Sequence, residues 1–141
     1  MLRTTVLLTL FASLTACSIN QIVEPVNSSK KIDTLCIKQN DRVLREDFLP
    51  KLESQIRAFG IKTSRYGLEK PSMCIYSMEY TANWSWDMAM YLVYANMRVY
   101  ENDQLVGSVE YDARSGSGRM DKFGETSTKI NPLIKQLFAK Y

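Results

Sequence analysis

The sequence predicts an α+β protein, a two-layer sandwich in the order β-α-β-β-β-β-α. Its mixed sheet ends in an antiparallel meander, and two amphipathic helices cover one face. Two segments carry apolar residues at helical spacing, and three carry two-residue alternation. The chain has 141 residues, 45% of them apolar and 23% charged, the length and make-up of one globular domain.

Asp33–Gln39 is the first expected strand, with β-branched Thr34 and Ile37, and Asn40-Asp41 ends it. A helix is expected over Arg45–Phe59. Phe48, Leu52, Ile56 and Phe59 form one stripe, Pro50 belongs to the first turn, and Gly60 is the stop. Ile61–Tyr66 is a short second strand. From Cys74 to Trp84 the even positions are apolar or aromatic, so one face of a third strand is buried. Ala89–Tyr100 follows, with Ala95, Met97 and Val99 inward and Met90, Leu92 and Tyr94 on the other face. Leu105–Ala113 is the last strand.

Register follows from these faces. A three-residue loop Asn102-Asp103-Gln104 pairs Val99 with Gly107 and Met97 with Val109, whereas a two-residue loop mixes core with solvent positions. A turn at Ser85-Trp86 pairs Tyr80 with Tyr91 and Met78 with Val93. The chain closes in a helix over Ser127–Lys140, with Asn131-Pro132 a candidate for its start because Pro favours the first helical position.

The first 16 residues carry Arg3 and then an apolar run, Val6–Leu14, too short to span a bilayer and suited to a secretory signal. It ends in Leu14-Thr15-Ala16-Cys17, which resembles the lipobox of bacterial lipoproteins. The resemblance implies cleavage between Ala16 and Cys17, diacylglycerol on the Cys17 thiol and a fatty acyl chain such as palmitate on its amine. Three acyl chains exceed what stable anchoring requires. Ser18, in place of Asp, implies sorting to the outer membrane with the domain facing the periplasm. Residues 17–31 then form the lipidated N-terminus and a flexible tether of at most about 45 Å, and 32–141 the single domain. The element order is similar to that of small envelope lipoproteins of the lipopolysaccharide-assembly type.

With Cys17 given to lipid, Cys36 and Cys74 are an even pair in an oxidising compartment, on strands that can lie parallel and adjacent. A disulfide is expected, with two buried thiols as the alternative.

The chain contains no His, which removes the commonest general base, the Ser-His-Asp and Cys-His catalytic layouts and most zinc sites. A net charge of +3 is no nucleic-acid footprint. Glu79, Asp87, Glu110, Asp112 and Asp121 have no spacing that enforces a glycosidase pair. No catalytic residue, metal site or cofactor is therefore expected. Trp84 and Trp86 sit at the expected hairpin tip, and either cover the end of the core or dock a partner. The function expected is a non-enzymatic, membrane-anchored envelope lipoprotein, a protein-binding or assembly module with an envelope protein as partner. The alternative is a carrier or sensor of an apolar or lipid ligand on the aromatic sheet.

Overall fold

Alternation and helical spacing resolve into a six-stranded mixed sheet with two helices on one face. The structure, a computed structural model, describes residues 18–116 and 118–141. The expected signal segment, the lipobox-like Leu14-Thr15-Ala16-Cys17 and the expected lipid site Cys17 lie outside the described residues. The elements are β1 (Asn20–Glu24), β2 (Thr34–Lys38), α1 (Phe48–Arg57), β3 (Lys62–Tyr66), β4 (Tyr76–Asp87), β5 (Ala89–Glu101), β6 (Gln104–Asp112), a 3-10 turn (Met120–Lys122) and α2 (Thr126–Leu137). Strand order is β1-β6-β5-β4-β2-β3. β2 runs parallel to β3 and β4, and the other neighbours are antiparallel.

The core lies between sheet and helices. Leu35, Ile37, Met78, Met97, Val99 and Val109 meet Leu52 and Ile56 of α1 and Ile130, Leu133 and Ile134 of α2, all buried. Pro50 is the third residue of α1, where no helical partner awaits its missing N–H, and Gly60 (φ 76°) ends the helix turn.

A strand replaces part of the expected tether. Asn20–Glu24 pairs with β6, and Val26 is buried, its N–H donating to the Leu137 carbonyl at 2.8 Å. The segment is polar in composition, but Val23 and Val26 supply inward contacts and β1 covers an edge that β6 would otherwise expose. Gly107 permits this approach: a Cβ there would stand 2.9 Å from the Val26 Cα.

The expected β4–β5 register is corrected. Tyr80 pairs with Met97 and Met78 with Val99, because the chain reverses at Met88 (φ 62°) rather than at Ser85-Trp86. A bulge opposite Asn83/Trp84 inserts Val93 and flips the faces beyond it. Leu92 consequently enters the core instead of the outer face. In the β5–β6 hairpin the expected pairs Val99–Gly107 and Met97–Val109 are present. Its turn is nevertheless the two-residue Asn102-Asp103, both at positive φ, and a bulge at Val106 restores the register. α2 starts at Thr126, so Pro132 lies inside the helix and not at its start. The cost of the absent Pro132 N–H is offset by the buried stripe on either side of it.

Tyr111 is fully buried in this core and its hydroxyl has no hydrogen-bond partner among the described residues. Tyr111→Phe is expected to leave stability unchanged or raise it by about 1 kcal/mol, measured by urea unfolding. A loss of similar size would reveal a partner for the hydroxyl.

Candidate functional site

The sheet has two distinct ends. At one, Asn20, Asp112 and Tyr94 stand in a row, and the β4–β5 hairpin projects beyond them. Trp84 lies at its base, half-buried. Its Nε1–H donates to Thr126 Oγ1 at 3.0 Å, its ring meets Phe48 edge-on at 5.5 Å, and the Arg45 guanidinium lies 5.7 Å from the ring centre. Trp84 thus ties the hairpin to the first residues of both helices.

Trp86 is 72% exposed and pairs directly with Met90, which is 56% exposed. They occupy the same face as Trp84 and Leu92, beyond the helices, and Met88 at the turn is 81% exposed. Beside the hairpin, Lys122 is buried against the rings of Tyr91 (4.9 Å) and Phe123 (5.1 Å) and donates to Asp87 at 2.6 Å. The Asp87 hydrogen bond holds this ammonium above its ordinary range. Trp84→Ala is expected to cost about 2 kcal/mol, less than a fully buried Trp, while Trp86→Ala stays within about 0.5 kcal/mol. Urea unfolding of both variants decides this, and the reverse order would refute the hairpin register.

At the opposite end, Cys36 and Cys74 are joined in a disulfide with Cα atoms 5.9 Å apart. β2 and β4 are parallel neighbours there, the arrangement the expected fold allowed, but Cys74 precedes β4 and sits on the sheet face away from the helices, clustered with Cys36 and Tyr66. The bridge holds the loop between β3 and β4, and Lys70 adds an ion pair to Asp103. Met73 and Ile75, on either side of Cys74, are exposed, as are Leu68 in the same loop and Leu105 near the start of β6. A groove of about 450 Å³ runs between Lys30, Lys31 and Asp33 on one side and Met73, Ile75 and Glu101 on the other. Glu101 accepts from the Ser29 hydroxyl, the Ser29 N–H (2.9 Å) and the Tyr76 hydroxyl (3.1 Å). The Ser29 hydroxyl, first among these, holds its carboxyl below the usual range.

The fold is shared with PelC. A PelC dodecamer from Paraburkholderia phytofirmans superposes with a TM-score of 0.53 at 11% identity, covering 85% of this chain and 94% of that one. A point variant of the same dodecamer gives 0.54 at 12% identity with the same coverage. No family model and no curated protein sequence matches the chain. At such identities the likeness is one of fold.

The acidic residues singled out by sequence are dispersed and partnered. Glu79 faces Lys38 at 3.2 Å, Glu110 accepts from the Tyr94 hydroxyl at 3.2 Å, Asp112 pairs with Arg114 and Asp121 with Arg119. No group of three potential metal ligands occurs among the described residues. The apolar cavity between the helices beside Trp84 holds about 20 Å³, room for one water and none for an acyl chain. Sequence reasoning missed the Trp86–Met88–Met90 patch as a unit because the reversal at Met88 has no Gly, Asn or Pro to announce it.

Proposed function

We propose that this chain is a lipid-anchored envelope lipoprotein, attached to the outer membrane through Cys17 and facing the periplasm. It works as a non-enzymatic, rigid protein-binding module. The disulfide fits an exported protein, since such bridges form in oxidising compartments. The observation that carries the reading is the polarity of the domain. The described chain starts at the hairpin end, and the disulfide-braced end lies opposite, with exposed Met73 and Ile75 lining a groove. Exposed apolar side chains beside a concavity mark a contact surface. An anchor at Cys17 directs that surface away from the membrane. The PelC chains of the same fold were solved as dodecamers, so a second copy of this chain is one partner to test.

A photo-crosslinking amino acid placed at Met73 in intact cells, followed by mass spectrometry, is expected to capture one defined protein, either a second copy or another envelope component. Capture of no protein from that position sinks the reading. Cys17→Ala is expected to abolish lipid labelling, block removal of the signal segment and eliminate the crosslink. A variant still lipidated and cut after Ala16 would refute the lipobox.

A further inference from the structure

We infer that the β4–β5 hairpin tip is a membrane contact, seated in the headgroup layer beside the anchor, so that Trp86, Met88 and Met90 fix the orientation of the whole domain on a lipid surface. The inference rests on Cys17 carrying lipid.

Trp86 and Met90 continue the apolar face of the sheet past the end of both helices, and Met88 is exposed at the turn between them. Trp84 and Leu92, on the same face, are covered; Trp86 and Met90 are paired across the hairpin and uncovered. The chain leading to the lipid settles what lies against them. β1 runs with Asn20 toward the hairpin end, level with Asp112 and Tyr94, and the Ser18 hydroxyl bonds back to Asn20 at 3.2 Å. Only three residue steps separate Cys17 from Asn20, a reach of at most about 10 Å. Trp86 and Met90 lie three strand steps, about 10 Å, beyond the Tyr94 row, and the hairpin reverses at Met88 about 3 Å further on. Acyl chains on Cys17 can therefore lie level with Trp86 and Met90.

The chemistry matches that depth. An indole has an apolar body and one N–H donor, the combination that places Trp at bilayer interfaces. Methionines supply flexible apolar surface without charge. The charged groups closest along the hairpin are already engaged, Asp87 with Lys122 and Arg45 with the Trp84 ring, so seating the tip buries no unpaired charge. Three acyl chains supply affinity enough without the tip. Its contribution is orientation, a second contact that stops the domain swivelling about its anchor and keeps the disulfide-braced end pointing outward.

The test uses the mature protein purified from membranes and reconstituted into phosphatidylethanolamine and phosphatidylglycerol vesicles with brominated acyl chains. The mass of the N-terminal peptide reports acylation, and tryptophan emission reports depth. The wild-type chain is expected to lose the Trp86 share of its emission, while Trp86→Phe, an exposed substitution that leaves the fold intact, loses little. A photo-crosslinking amino acid at Met88 is expected to label lipid. Equal quenching of wild type and Trp86→Phe on an acylated chain, or capture of a protein at Met88, overturns the inference and leaves the anchor standing. An unacylated Cys17 overturns the anchor and the inference together, and the peptide mass separates the two failures.

Discussion

Removing the Cys36–Cys74 bridge is expected to cost about 4 kcal/mol of folding stability, from the loop entropy of a crosslink whose ends are 38 residues apart. The double variant Cys36→Ser, Cys74→Ser is the variant to use, since it leaves no unpaired thiol. The bridge closes a loop containing α1 and β3, so the unfolded chain gains much freedom when it is cut. Both sulfurs are buried with Tyr66 on the face away from the helices, where the rest of the domain provides little core. Loss is therefore expected to be felt locally as well, with the loop carrying Leu68 and Met73 opening first. Urea unfolding of oxidised and double-variant protein measures the global cost. Thiol labelling of unfolded, unreduced protein checks the premise and should find neither cysteine free. Two reactive thiols, or a cost under about 1 kcal/mol, would show that the bridge does not brace the domain.

What the sequence exposes of this fold depends on how strongly each residue's burial is patterned. Phe48, Leu52 and Ile56 repeat at helical spacing, and α1 is where they place it. Met97 and Val109 are both inward residues flanked by outward ones, so their pairing was readable even though the turn was misjudged. The Asn102-Asp103 turn and the Val106 bulge are two departures that cancel in register. The β4–β5 hairpin has no such cancellation. Val93 is apolar on either face, so nothing in its identity marks the bulge, and the reversal at Met88 rests on one residue at positive φ. β1 falls within the expected tether because an edge strand with one face open needs few apolar residues, here Val23. Pro132 misled for the opposite reason, since local propensity argued for a helix start and burial of Ile130 overrode it.

The candidate site was legible where chemistry is carried by residue type. Cys36 and Cys74 are bridged, and of the two tryptophans one is packed and one exposed. The groove at the disulfide-braced end was not legible, because only the topology brings Met73 and Ile75 opposite Lys30, Asp33 and Glu101.

Arg65→Ala is expected to cost about 3 kcal/mol at neutral pH, and the penalty is expected to shrink in acid. Glu53, in the middle of α1, is 5% exposed. Arg65 of β3 reaches it with both ends of the guanidinium, Nε at 2.8 Å and Nη2 at 2.7 Å. These hydrogen bonds hold the Glu53 carboxyl below the usual carboxylate range against the opposing effect of burial. In the native protein this depressed value contributes stability above the carboxylate range, lost as pH falls through and below it. Without Arg65 the buried carboxylate has no comparable partner, and burial pushes its value up. The sign then reverses, and the group favours folding only where it is protonated, losing that contribution as pH rises. The difference between wild type and Arg65→Ala should therefore be largest near pH 7 and smaller near pH 4, shrinking further below it. Glu53→Gln in the Arg65→Ala background separates charge from packing, because it removes the stranded carboxylate and keeps its volume, and it is expected to recover much of the loss. Urea unfolding of the three proteins at both pH values makes the measurement. A penalty that is the same at both, with no recovery by Gln, would mean that Arg65 acts on β3 through its aliphatic stem rather than through Glu53.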